Sequence, residues 1–106
     1  MFKRISIHDA KKFLDQGDAQ FVDIRDEMSY QQGHIPTAAP LNQGNLQQWM
    51  TAADLDKPVL VCCYHGNSSQ PAAQFLFEKG FEQVYSIDGG FEAWRGVYET
   101  QNSNDI

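Results

Sequence analysis

The sequence predicts an α/β domain with a mainly parallel β-sheet covered by helices on both faces. Short apolar runs alternate with segments of helical periodicity along the whole chain, the pattern of parallel strands joined by right-handed crossovers. The most apolar run, Val59-Leu60-Val61-Cys62-Cys63, lacks the alternation of a half-exposed strand and reads as a central strand buried on both sides.

In order, Lys3 to Ile5 forms a short edge strand, and Ser6 with Asp9 offers an N-cap for a helix from about Ile7 to Asp15 that closes at Gly17. Gln20 to Ile24 is a second strand. Asp26 then caps a helical turn towards Gln32, stopped by Gly33, and Ala39 to Leu41 makes another brief strand. Leu46, Trp49, Met50 and Ala53 are spaced as one face of a helix from Asn45 to Ala53, and Pro58 opens the central strand. The cluster Gly66-Asn67-Ser68-Ser69 is a turn and cap, followed by a helix with Ala72, Ala73, Phe75, Leu76 and Phe77 that ends at Lys79-Gly80. Val84 to Ile87 is the last strand, and Gly89-Gly90 leads into a short helix with Phe91 and Trp94. The organisation expected is one domain over residues 1–98 and a frayed polar tail over residues 99–106.

A chain of 106 residues can bury one core without metals or disulfides. Its formal net charge of -6 leaves no broad basic surface for nucleic acid or anionic lipid, so any anion must be bound locally. No segment reaches membrane-spanning length and no apolar stretch follows Lys3 and Arg4, so a cytoplasmic protein is expected. An acidic surface without an apolar stripe points to a monomer or weak dimer.

The only two cysteines, Cys62 and Cys63, are adjacent, and strand alternation sends them to opposite faces, which argues against a disulfide between them. Cys62 reads as a core residue. Cys63 lies where the central strand gives way to a loop and helix, the place where ligands gather in open α/β sheets. The peptide N–H groups of the segment Cys63-Tyr64-His65-Gly66-Asn67-Ser68-Ser69 can converge there as an anion-binding nest, backed by the next helix's N-terminus, with Tyr64, His65, Gly66, Asn67 and Ser68 as the candidate substrate-binding residues. Such settings lower a cysteine pKa to about 3.5–7.5, so an accessible Cys63, substantially thiolate at neutral pH, is expected. Gly66 fits a close or positive-φ backbone position.

The run Cys63-Tyr64-His65-Gly66-Asn67-Ser68-Ser69, with Val22-Asp23-Ile24-Arg25-Asp26 and Gly33-His34-Ile35 before it and Ser86-Ile87-Asp88-Gly89-Gly90-Phe91-Glu92-Ala93-Trp94 after it, resembles a single-domain rhodanese over roughly Ile5 to Tyr98. The resemblance implies a five-stranded parallel sheet and Cys63 as a persulfide-bearing nucleophile. It also implies thiosulfate as sulfur donor, with cyanide or a dithiol protein such as thioredoxin as acceptor. Two departures stand out, Ser29 where the family often has Glu and Thr37 where Gly is usual. Both read as scaffold positions that bear on turn geometry and leave the chemistry unaffected.

On that reading the Cys63 thiolate attacks the outer sulfur of thiosulfate, releases sulfite and stores a persulfide, with no cofactor. The loop lacks Arg and Lys, so thiosulfate should bind loosely. His65 can lend positive charge or a hydrogen bond near the sulfur, but no carboxylate neighbour in sequence orients it as a general base. His34 reads as a packed residue bonded to backbone, His8 as a surface position, and no ligand-like spacing joins the histidines to Cys63 in a metal site. Asp23 and Arg25 suggest an ion pair under the loop, and Phe91 and Trp94 packing.

Three other chemistries compete for such a cysteine. A cysteine phosphatase or arsenate reductase would end the loop with a phosphate-clamping Arg where this chain has Ser68 and Ser69. A persulfide carrier or interaction module acting on a partner protein shares the same chemistry and stays open. A dithiol redox protein lacks a resolving cysteine at useful spacing.

Overall fold

A computed structural model describes residues 1–103 of the chain. Five strands, β1 (Lys3–Ile5), β2 (Gln20–Asp23), β3 (Ala39–Pro40), β4 (Val59–Cys62) and β5 (Val84–Ile87), form one sheet in the order β1-β5-β4-β2-β3. Every neighbouring pair is parallel. The intervening helices are α1 (Ile7–Gln16), α2 (Glu27–Gln32), α3 (Leu46–Ala52), α4 (Ser69–Glu78) and α5 (Gly90–Arg95).

Alternation along the strands divides the core into two layers. Phe21, Leu60, Cys62 and Ile87 pack with Ala10 of α1 and with Phe91 and Trp94 of α5. Val22, Val59, Val61 and Val84 face the other way, against Ala73 and Leu76 of α4 and Trp49 and Met50 of α3. All four residues of β4 are buried, which is why its sequence shows no polar alternation. The apolar spacing in α4 and the capping of α1, where Ser6 Oγ accepts from the Asp9 amide at 3.1 Å, place these helices as the sequence predicts.

The strand ends differ by a residue from expectation. The ladder of β2 stops at Asp23, whose carboxylate turns back to the following backbone, and β4 stops at Cys62, so Cys63 is the first residue of the loop. Edge strand β3 covers only Ala39–Pro40, although the Leu41 amide still donates to the Asp23 carbonyl at 2.8 Å.

The expectation of a frayed tail is corrected for residues 99–103. The buried Trp94 indole donates to the Glu99 carbonyl at 2.9 Å, His34 and Gln101 exchange backbone hydrogen bonds at 2.8 and 2.9 Å, and the Ser103 amide donates to the Gln31 carbonyl at 2.9 Å. Polar composition suggested solvent, whereas these bonds are made by the backbone and are silent in composition. Residues 104–106 of the proposed tail lie outside the described residues. Among the described residues no helix is long and apolar enough to cross a membrane.

Candidate active site

Cys63 sits at the carboxyl end of the central strand, where the chain turns over six residues into α4. Its thiol donates to Ser69 Oγ at 3.2 Å, and the backbone amides of Gly66 and Ser69 each donate to Sγ at 3.2 Å. Gly66 makes the turn possible. Its φ is +91°, and an added Cβ would lie 2.9 Å from the Gly89 nitrogen and 3.0 Å from the Ile87 carbonyl oxygen.

The loop is held from outside as well. The Phe91 amide donates to the Cys63 carbonyl at 2.8 Å and the Glu92 amide to the Tyr64 carbonyl at 3.1 Å, so the first turn of α5 grips the loop backbone. Gly90 permits that approach, since a Cβ there would lie 2.5 Å from the Cys63 carbonyl oxygen. Gln70 Nε2 fixes the Gly66 carbonyl at 2.9 Å.

Burial of the Cys63 sulfur acts to raise its pKa. Hydrogen bonds from the Ser69 hydroxyl and from the Ser69, Gly66 and His65 amides outweigh it, and the thiol lies below the ordinary cysteine value. Cys62 goes the other way: burial first, then the Asp23 charge, pushes its thiol well above that value. The adjacent sulfurs are thus chemically opposite, and both are free.

With this geometry in view, the rhodanese-like domain family matches residues 6–96. The chain belongs to the rhodanese family. It is 50% identical over 97 residues to the thiosulfate sulfurtransferase GlpE of Pseudoalteromonas translucida, covering 92% of each chain. It is likewise 50% identical over 103 residues to the thiosulfate sulfurtransferase GlpE of Pseudomonas fluorescens, covering 97% of this chain and 94% of that one. A solved rhodanese-like domain from Anabaena superposes with a TM-score of 0.83 at 24% identity, over 96% of this chain and 80% of that one, a likeness of fold.

Within this rhodanese, the residues expected around the sulfur take different positions. Gly66 contributes its amide directly, and the His65 amide also favours the thiolate. The side chains of His65, Asn67 and Ser68 are exposed. Tyr64 is 40% exposed and points away from the sulfur, its hydroxyl bonded to the Asp26 carboxylate and lying 2.8 Å from Ser29 Oγ. An accessible Cys63 is also corrected: the residue is only 3% exposed, because the loop that supplies its amides also wraps it.

The Ser69 amide belongs to the nest the sequence predicts, but the hydroxyls of Ser69 and Ser86 were not legible there. Ser69, the first residue of α4, bonds the sulfur through both amide and hydroxyl, whereas its neighbour Ser68 makes no side-chain cap. Ser69 Oγ in turn lies 2.7 Å from Ser86 Oγ on β5. The available signal was the small polar Ser86, which alternation puts on the same strand face as Val84.

Beneath the loop, Arg25 Nε and Nη2 fork onto the Asp23 carboxylate at 2.8–3.1 Å, and Nη2 also donates to the Gly33 carbonyl at 2.6 Å. The guanidinium lies 4.0 Å from the Phe91 ring centroid and 5.6 Å from that of Tyr64. The pair is structural, as expected. His34 bonds the Tyr30 carbonyl through Nδ1 at 2.8 Å and stacks on the Tyr30 ring, in keeping with a packed histidine.

The two departures from the family pattern separate here. Thr37 adopts φ +70°, the left-handed conformation that suits the usual glycine. Ser29 corrects the scaffold reading, since through Tyr64 it touches the loop itself. A cleft of about 580 Å³ opens beside the loop between Arg25, Ser29, Tyr64, Phe91 and Arg95.

Proposed function

We propose that this chain is a thiosulfate sulfurtransferase in which Cys63 carries the transferred sulfur. The observation that supports the reading best is a single thiol faced at 3.2 Å by two main-chain amides and a hydroxyl. Donors fixed in this way stabilise charge on sulfur without reorganising at each turnover. The names of the GlpE relatives support thiosulfate as donor.

In the first half-reaction the Cys63 thiolate attacks the outer sulfur of thiosulfate. A sulfur–sulfur bond forms to Cys63, the bond between outer and central sulfur breaks, and its electron pair leaves on sulfite. In the second, cyanide attacks the outer sulfur and leaves as thiocyanate, returning the thiolate. A dithiol acceptor such as thioredoxin attacks the same atom with one thiolate, and its second thiol then displaces hydrosulfide to close a disulfide. Gly66, Ser69 and the His65 amide serve as the anion cradle for the sulfur. Tyr64, Asn67 and Ser68 act on the substrate only from the rim.

Thiosulfate is held loosely, because the segment from Cys63 to Ser69 has no cationic side chain and the protein is acidic. We place the protein as a monomer or weak dimer in the cytoplasm, where a reducing environment keeps both thiols free.

Intact-mass analysis after thiosulfate treatment tests the reading. One added sulfur atom, mapped to Cys63 and lost on adding cyanide, is expected, and none in Cys63→Ser. Sulfur transfer by Cys63→Ser, or phosphatase turnover without a persulfide, overturns it.

A further inference from the structure

We propose that Ser86, buried in β5, is a positioning residue for the Cys63 sulfur, acting through Ser69 as the far end of a two-hydroxyl chain whose direction reverses with the charge on sulfur. The inference rests on the sulfurtransferase reading and concerns how that site holds its thiolate.

Ser86 pairs with Val61 of β4 in the sheet register and shares the strand face of Val84, in the apolar layer beneath α4. A hydroxyl is costly in that layer unless bonded. Both Ser69 and Ser86 have 0% exposure, which excludes water as the ordinary partner. Among the described residues, Ser69 Oγ is the one hydrogen-bond partner of Ser86 Oγ, at 2.7 Å, and Ser69 Oγ reaches on to Cys63 Sγ at 3.2 Å. The chain Cys63–Ser69–Ser86 is therefore closed at its far end.

Counting protons along it gives the two charge states different satisfaction. With sulfur neutral, the thiol donates to Ser69 Oγ, Ser69 donates to Ser86 Oγ, and the Ser86 proton has no acceptor. With sulfur ionised, Ser86 donates to Ser69, Ser69 donates to the thiolate, and every proton is used. The reversal needs only rotation about two Cβ–Oγ bonds. The proton lost from sulfur goes to solvent, and none moves along the chain. A hydroxyl that accepts one hydrogen bond donates a stronger one, so Ser86 strengthens Ser69 as a donor to the anion.

The test is the pH dependence of Cys63 alkylation by iodoacetamide, followed by peptide mass in the full chain without thiosulfate. Ser86→Ala should slow alkylation at pH 7 about three- to tenfold and move the inflection to higher pH. In a Ser69→Ala background the same change should add nothing, because Ser86 reaches sulfur only through Ser69. Ser86→Thr should return the inflection towards wild type even where its methyl lowers Tm, which a purely packing role would not do. If Ser86→Ala is too unstable to titrate, Ser86→Cys, a weaker donor of similar shape, should move the inflection in the same direction. An unmoved inflection in Ser86→Ala and Ser86→Cys, or an equal further shift on top of Ser69→Ala, overturns the proposal. Mass gain with thiosulfate is read separately, so a failure of the sulfurtransferase reading stays distinguishable from a failure of this one.

Discussion

The Tyr64 hydroxyl crosses from the loop after β4 to the Asp26 carboxylate at the N-cap of α2, joining the segment that cradles sulfur to a helix 38 residues away in sequence. Asp26 also accepts from the Ser29 amide at 3.1 Å and the Ser29 hydroxyl at 2.9 Å, and these two bonds lower the pKa of its carboxyl. Tyr64→Phe keeps the ring over Arg25 and removes only the tie. Sulfur transfer is expected to fall about two- to fivefold in kcat/KM, the scale of one exposed polar contact, with Tm nearly unchanged. Steady-state kinetics with thiosulfate and cyanide check it.

Cys63 and Cys62 should be told apart by pH. Hydrogen bonds favour the Cys63 thiolate, so its alkylation should rise with pH through an inflection below the free-cysteine value of about 8.5, while Cys62 stays unlabelled in the native protein. The folded-state pKa of Cys63 lies below the unfolded one. The stability this contributes is full above the unfolded value and fades as pH falls through the folded value. Urea unfolding of wild type against Cys63→Ser, from pH 6 to pH 9.5, should show the wild-type advantage growing with pH.

Gly90→Ala should disable the loop. The new methyl meets the Cys63 carbonyl oxygen and, at 2.7 Å, the Tyr64 carbonyl carbon, and φ of +57° adds left-handed strain. Backbone atoms on both sides cannot rotate away, so a loss of about 2–4 kcal/mol in unfolding free energy is expected, with sulfur transfer abolished. Thermal unfolding and the mass assay read the two effects.

Thr37→Gly should stabilise. A β-branched residue in the left-handed region costs roughly 1–2 kcal/mol, against about 0.5–1 kcal/mol for the extra freedom of glycine in the unfolded chain. The net gain should raise Tm by roughly 2–6 °C without altering turnover, by calorimetry and the standard assay.

Asp23→Asn should cost much more than an exposed charge does. The Arg25 guanidinium would stay buried against a neutral partner, with an expected loss of about 3–5 kcal/mol by denaturant unfolding.

The framework was legible because its signals are local. The run from Val59 to Cys62 announced a two-sided central strand, and Ser6, Asp26 and Gly17 marked helix ends within a turn of their true places. The loop was legible too, through Gly66 and the small residues after it. What escaped depended on contacts between distant segments. Ser69 could be preferred over Ser68 only once the start of α4 was placed against the sulfur, and Ser86 lies 23 residues beyond Cys63 on another strand. The docking of Gln101 on His34 is made by backbone groups, which every residue type but proline carries alike.

The grip of Phe91 and Glu92 on the carbonyls of Cys63 and Tyr64 ties chemistry at the loop to a helix that is synthesised after it. A nascent polypeptide that has emerged only as far as α4 already displays the cysteine but lacks the clasp that shapes its surroundings. Shaping the pocket for sulfur therefore waits on α5, not on the cysteine's own strand.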